Sequence, residues 1–241
     1  MTACVLLQER GGALLNKAIF VIVPAYNEGG VIRSTAQPLI DLGYSVVIVD
    51  DCSQDGTADA LVGLPIYYLR HPVNLGQGAA LQTGMRFAVL QGADVVVHFD
   101  ADGQHQARDV DALVEPILSG QADVVLGSRF LRREDVLEVP FVRRLLLRCA
   151  VFVNWGLTGV RLSDAHNGFR AMSAAAAKLI NLSENRFAHA SEIIVQIRQF
   201  RLRFVEKPTT IVYTDYSRAK GQPMWNAISI FSEMLLRRLF K

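Results

Sequence analysis

The chain of 241 residues has only three cysteines, Cys4, Cys52 and Cys149, which are far apart and form no C-x-x-C pair. That excludes a disulfide framework and a thiolate zinc site, and it fits reduced thiols in a cytosolic protein. No apolar stretch reaches the roughly 18 uninterrupted residues that spanning a bilayer requires. The longest candidate, Leu145 to Val160, is broken by Arg148 and Asn154. Met1–Asn16 has no positive leading region, and Glu9 and Arg10 interrupt its short apolar run, so it does not read as a signal peptide. An excess of one charge is also missing: 25 Lys and Arg stand against 23 Asp and Glu. That balance argues against a protein dedicated to nucleic acid. Neither a G-K-[ST] phosphate loop nor a G-x-S-x-G nucleophile elbow occurs. The glycine-rich stretch 74–80 (NLGQGAA) offers only G-x-G and lacks the third glycine of a dinucleotide fingerprint, so nicotinamide and flavin chemistry are set aside.

A hydrophobic fraction of 51% rules out general disorder, and a mean hydropathy of +0.23 is high for a chain with no membrane span. Short β-branched runs at 18–23, 45–49, 66–69, 95–99 and 123–126 read as strands, several apolar on consecutive positions as in strands buried on both faces. Helical patterns fall between them at 29–42 (with Pro38 inside), 56–62, 77–91 and 108–119. The alternation predicts an α/β, Rossmann-like, doubly wound and mostly parallel sheet with helices on both faces. Beyond Arg129 the rhythm changes. Residues 132–138 are charged and loop-like, and helical patterns follow at 140–158, 172–182 and 187–200. A strand is expected over 204–213, with Pro208 at a bulge or edge, and a helix over the tail 224–241. With no repeat and no linker, residues 17–241 read as one domain behind an extension at 1–16. Within it, 17–130 carries the regular alternation and 131–241 the part with the changed rhythm.

In an open α/β sheet, ligands bind outside the carboxyl ends of the strands. The first predicted strand ends in Pro24-Ala25-Tyr26-Asn27-Glu28, the second in Asp50-Asp51-Cys52-Ser53 and onward to Thr57, the fourth in Asp100-Ala101-Asp102-Gly103-Gln104-His105, and the fifth in Gly127-Ser128-Arg129. Acidic and polar side chains therefore gather at one edge. Asp100 and Asp102, two apart, project to one side of a strand end. Two hard oxygen ligands with open positions suit Mg2+ or Mn2+ shared with phosphate oxygens, with Gln104 as a third ligand. The plainer alternative is a turn in which Asp102-Gly103 caps the next helix; the other polar strand ends beside it favour the cation. His105 reads as a loop residue.

The ordered series V-P-A-Y-N-E (23–28), V-D-D-x-S-x-D-G-T (49–57), N-x-G-x-G-x-A (74–80), D-A-D-G-Q-H (100–105), G-S-R (127–129) and D-x-x-N-G-F-R (164–170) resembles the family 2 glycosyltransferases of GT-A fold. The likeness runs from about Ile19 to Arg170 and continues more weakly to Arg238. Within the family it is most similar to the dolichol- and polyprenol-phosphate sugar transferases. The resemblance implies a nucleoside-diphosphate sugar donor bearing GDP or UDP. It also implies a divalent cation and inverting transfer to a lipid phosphate, or alternatively to a sugar hydroxyl of a cell-envelope glycan. Pro24, Ala25, Tyr26 and Glu28 would line the nucleotide pocket with Gly78 and Ala101. Asp51, with Asp50 beside it, would accept from the base, and Asp100, Asp102 and Gln104 would hold the metal. Arg129 and Arg170 would face the diphosphate or the acceptor phosphate, unless they are salt-bridged within the fold, and Lys220 would join them from a segment (213–222) that closes over the donor. A lipid phosphate needs no general base. A hydroxyl acceptor does, and Asp164, then Glu192, would be that base rather than a helix cap or local ion pair.

Departures from the family pattern narrow the reading. The Glu-Asp pair and Q-x-x-R-W motif of processive synthases are absent: 190–192 read Ala-Ser-Glu and 196–200 read Gln-Ile-Arg-Gln-Phe. Gln77 stands where relatives carry lysine, and Asn167 where serine is common. The apolar and arginine-bearing patterns at 140–158 and 224–241 would either pack in the protein or lie on the cytoplasmic membrane face near a lipid-linked acceptor. No nucleic-acid partner is expected, and the sequence leaves the oligomeric state open.

Overall fold

Every residue of the first strand, β1 (Ile19–Ala25), is buried, because alternate side chains enter two separate cores. Phe20 and Ile22 join one core, whereas Ile19, Val21, Val23 and Ala25 join the other. A strand of consecutive apolar residues has this fate when helices cover both sheet faces. The computed structural model describes residues 17–131, 156, 159–164, 167–183 and 189–212. After β1 come α1 (Ile32–Asp41), β2 (Ser45–Asp50), α2 (Thr57–Ala60), β3 (Tyr67–Arg70), α3 (Gln77–Leu90), β4 (Val95–His98), α4 (Val110–Leu118) and β5 (Val124–Ser128). Then follow β6 (Arg170–Ser173), α5 (Ala174–Leu179), α6 (His189–Gln199) and β7 (Phe204–Pro208).

Among the described residues these strands make one seven-stranded sheet in the order β3-β2-β1-β4-β6-β5-β7. Strand β1 runs parallel to β2 and β4, β2 parallel to β3, and β5 parallel to β7. Helix α3 backs one core with α5 and α6, and α1 and α4 back the other. Order reverses at β1, which has β2 on one side and β4 on the other, so a crevice opens between the carboxyl ends of β1 and β4.

Two expectations change. The pattern at 172–182 is not one helix: Arg170–Ser173 is a strand, antiparallel to both β4 and β5. Its alanines suit a helix, but Ala171 and Met172 fill the slot between two buried strands, and tertiary packing overrides propensity. The helix starts only after Ser173, whose Oγ accepts from Ala176 N at 3.1 Å. Likewise the last strand stops at Pro208, on the sheet edge where a missing N–H costs little; Ile211 adds a lone bridge to His105. Pro38 does not break α1, because Ile32, Thr35, Ala36 and Leu39 are buried on its inner face. The patterns at 140–158 and 224–241, the loop 132–138 and the segment 213–222 lie outside the described residues. Among the described residues no helix is long and apolar enough to cross a membrane.

His98 sits in β4 opposite Arg170. It is 1% exposed, and its Nε2 has no hydrogen-bond partner among the described residues. Burial, then the charges of Arg170 and His189, push its pKa from 6.5 down to about 3, against a smaller pull from Asp100. The folded protein therefore refuses a proton that the unfolded chain takes up near pH 6.5, and stability is lost as pH falls from there. Relative to His98→Leu, the wild type should lose about 1.4 kcal/mol per pH unit between roughly pH 6 and 4. Urea titrations of both proteins across that range check this; parallel curves would exclude it.

Candidate active site

The loops that follow β1 and β2 are fastened to each other by side chains of the second. Asn27 N donates to Ser53 Oγ, Glu28 N to Thr57 Oγ1 and Gly29 N to Asp55 Oδ2, each at 2.9 Å, and Gln54 N donates back to Asn27 Oδ1 at 2.8 Å. Asp55 also accepts from the Thr57 hydroxyl. The S-x-D-G-T run thus builds the floor of the crevice. Pro24, Ala25 and Glu28 are buried there, whereas Tyr26 is 43% exposed and presents its ring outward.

Asp50 and Asp51 are both buried and both engaged. Asp50 accepts from Ser53 N at 2.7 Å and from the Tyr68 hydroxyl at 2.5 Å. Burial, then the hydrogen bond and charge of Asp50, push the Tyr68 phenol up to about 12, with Arg70 opposing. Asp51 Oδ1 accepts from His71 Nδ1 at 2.7 Å and Leu75 N at 2.8 Å, and Oδ2 accepts from Gly76 N at 2.6 Å. The loop 74–76 is thereby hung on one carboxylate. Gly76 completes it with φ +94, a backbone setting that side-chain-bearing residues avoid. Helix α3 starts next, with Gly78 buried in its first turn and Gln77 Nε2 donating to Asp100 Oδ1 at 2.9 Å.

Asp100 is gripped on its other oxygen by His105 Nε2 at 3.0 Å. The His105 ring is fixed by Phe169 and Phe99, with centroids 4.9 and 5.5 Å away, so it is more than a loop residue. Burial alone would raise the Asp100 pKa, but the His105 hydrogen bond and charge, with His189 and Arg170, hold it below the usual carboxylate range. Asp102 goes the other way: burial first, then the charge of Asp100, raise it, although Gln104 N donates to Oδ1 at 3.0 Å. Ala101 between them is buried, and its carbonyl accepts from Thr35 Oγ1 at 3.0 Å. Asp102 lines an open cleft with Thr35, Phe99, Gly103 and His105.

This donor set suits a hard divalent cation. Among the described residues no group of three or more His, Cys, Asp or Glu side chains forms a complete metal cage. Two carboxylates, one of which disfavours the charge of the other, beside Gln104 and an open cleft, fit an ion that takes its remaining oxygens from substrate.

On the other side of the crevice, Arg129 and Asp164 form a two-point ion pair, Nε to Oδ2 at 2.6 Å and Nη2 to Oδ1 at 2.8 Å. The Asp164 side chain is 1% exposed and that of Arg129 13%. Glu206 of β7 steadies the pair, accepting from Ser163 N, Ser163 Oγ and Asp164 N. Arg170 is buried, with Nε donating to the Asn167 carbonyl at 3.0 Å. Burial draws it down to about 10 against the attraction of Asp100 and Asp164. Glu192 is spent elsewhere, accepting from Ser183 N and Oγ. Lys220 lies outside the described residues.

The structure thus brings Asp100, Asp102 and Arg170 to one place, with the Gln104 backbone amide on Asp102 and Asp164 near Arg170, and puts Asp50 and Asp51 into the loop scaffold. Sequence reasoning missed His71 and Glu206, and it placed Gly168 in the D-x-x-N-G-F-R motif without a role. His71 directly follows β3, so its place at a strand's carboxyl end was the available signal. Glu206 carried no such signal, because its partner Ser163 is distant in the chain, and the role of Gly168 depends on Asp100, equally distant.

Gly168 leaves room for Asp100: a Cβ there would collide with the Asp100 Oδ2. Gly168→Ala should therefore swing the carboxylate away, weaken Mn2+ binding and lower turnover roughly 100-fold, at a stability cost of about 1–3 kcal/mol. Metal titration and thermal unfolding test this; unchanged Mn2+ affinity in a folded variant would count against it.

The model for the family described as glycosyl transferase family 2 matches residues 20–180. The UDP-N-acetylglucosamine–dolichyl-phosphate N-acetylglucosaminyltransferase of Methanococcus voltae is 29% identical over 248 residues, covering 95% of this chain and 99% of that protein. The undecaprenyl-phosphate mannosyltransferase of Micrococcus luteus is 30% identical over 213 residues, covering 84% and 86%. Among solved structures, the glucosyl-3-phosphoglycerate synthase of Mycobacterium tuberculosis with Mn2+, UDP and glucosyl-3-phosphoglycerate superposes with a TM-score of 0.69 at 22% identity. That match covers 96% of this chain and 83% of that one, and the shared fold is GT-A.

Proposed function

We propose, from the premise that the chain belongs to glycosyl transferase family 2 and is a glycosyltransferase, that it moves a sugar from a nucleoside-diphosphate sugar to a polyprenyl or dolichyl phosphate. The transfer depends on Mg2+ or Mn2+ and inverts the anomeric carbon. The observation that carries the reading is the pair of carboxylates at the carboxyl end of β4: Asp100 fixed by Gln77 and His105, and Asp102 held at elevated pKa beside it. The names of the relatives support the acceptor class.

In this reading Asp100, Asp102 and Gln104 hold the cation, which when bound neutralises charge on the departing diphosphate. Tyr26, Pro24, Ala25, Glu28, Gly78 and Ala101 form the walls of the nucleotide pocket, with Asp51 receiving the base and Asp50 holding the loop beside it. Arg170 and Arg129 add fixed positive charge where negative charge develops, and a buried guanidinium does so without reorganising. Lys220 joins them from the C-terminal segment. The Arg129–Asp164 pair bears on the acceptor. A carboxylate held at two points by a guanidinium and 1% exposed is a poor proton acceptor. Asp164 in that state suits a phosphate acceptor, which is already an anionic nucleophile, better than a hydroxyl acceptor, which needs a base. A lipid-phosphate acceptor would be met at a membrane surface, on the cytoplasmic face, by a protein bound there peripherally.

Transfer of radiolabelled sugar from UDP- and GDP-sugars into an organic-phase polyprenyl phosphate product, with Mn2+ present, tests the reading directly. Label that reaches only water-soluble glycan would reject the lipid acceptor. Asp102→Asn should cut transfer roughly 100-fold or more, yet leave thermal stability unchanged or raised. The substitution removes a buried charge that the fold disfavours. Near-normal turnover in that variant would reject the metal assignment.

A further inference from the structure

The donor's base is open to inference from the acceptor count of one buried carboxylate. A carboxylate offers about four acceptor positions, two on each oxygen. Among the described residues Asp51 has three of them filled: His71 Nδ1 and Leu75 N on Oδ1, and Gly76 N on Oδ2. Its side chain is 4% exposed. One acceptor position, on Oδ2, is left for a ligand.

The filling is not adjustable. Leu75 and Gly76 donate from backbone amides of the loop that starts α3. His71 is locked from both ends: Nδ1 faces a carboxylate, which can only accept, so Nδ1 carries the hydrogen, and Nε2 pairs with Thr83 Oγ1 at 2.9 Å. Thr83 belongs to α3, which packs on β1 and β2, so the ring cannot rotate away without giving up both hydrogen bonds.

The bases differ in what they bring to such a group. Guanine presents N1–H and an exocyclic N2–H side by side, two donors that want both oxygens of a carboxylate. Uracil presents a single ring N–H. Cytosine and adenine set a ring-nitrogen acceptor beside their amine, which would face an acceptor-only group. A buried donor without a partner weakens binding by on the order of tenfold or more.

We propose that the donor is a uridine diphosphate sugar and that His71, by occupying one acceptor position of Asp51, is the residue that sets this preference over guanine. The inference rests on the reading of the preceding subsection, in which Asp51 receives the base. The test is calorimetric titration of the full chain with UDP, GDP, CDP and ADP in the presence of Mn2+. UDP should bind at least tenfold more tightly than GDP. His71→Ala opens a second position on Asp51 and should narrow the UDP-to-GDP ratio several-fold. Thr83→Val, which removes only the hydroxyl that fixes the ring, should narrow it less. GDP, CDP or ADP binding as tightly as UDP would overturn the uracil assignment while leaving the nucleotide-sugar reading standing. A ratio unchanged in both variants would overturn the role of His71. Binding of none of the four would overturn the donor-site reading together with this inference.

Discussion

The active edge depends on one buried carboxylate that organises the backbone around it. Asp51 stands where β2 ends, and by accepting from Leu75 N and Gly76 N it draws the loop after β3 across the crevice. That contact decides where α3 begins. The first residue of α3 is Gln77, whose amide reaches the metal-side carboxylate Asp100. Asp51, Gly76, Gln77 and Asp100 therefore form a continuous strut across the crevice, from the end of β2 to the end of β4. Buried backbone amides must find partners, and here those partners also set the spacing of the site.

A second consequence concerns charge. The carboxyl ends of the strands collect Asp100, Asp102 and Asp164 against His98, His105, Arg129, Arg170 and His189. The fold does not neutralise them pair by pair. Arg129 and Asp164 satisfy each other, and His105 steadies Asp100, but Asp102 stays strained by the neighbouring charge, and Arg170 is buried against carbonyls rather than carboxylates. In the proposed function, a surface so arranged would be completed by a cation and by phosphate oxygens brought from outside. The same imbalance adds to a stability consequence at His98, which burial first, and then the charges of Arg170 and His189, keep neutral.

Much of the scaffold was legible in the chain. Consecutive apolar β-branched residues at 19–23 and 45–49 identify strands buried on both faces, and the polar residues that follow them identify the binding edge. The likeness of six ordered motifs to a known family extended that reading to donor and metal. Arg170–Ser173 defeated the sequence pattern. The alanine run Ala174–Ala177 is helical as its propensity suggests, but the slot between β4 and β5 draws Met172 and Ser173, the first two residues of the expected helix, into an antiparallel strand. The roles of Asp50 and Asp51 were also out of reach, because their partners Tyr68, His71 and Gly76 lie 18 to 25 residues away.

The sequence by itself determined the class of fold and which acidic and basic residues gather at the carboxyl edge of the sheet, since these follow from periodicity and from what ends each strand. Only the tertiary structure decided which of those residues remain free to meet a ligand. Asp102 is left with its charge disfavoured. Asp164 is consumed by Arg129, Glu192 by Ser183, and Asp51 is left with a single open acceptor position. The physical reason is that a carboxylate's chemistry depends on how many of its lone pairs are already bonded. That number is set by backbone amides and side chains that the fold, not the local sequence, brings within 3 Å.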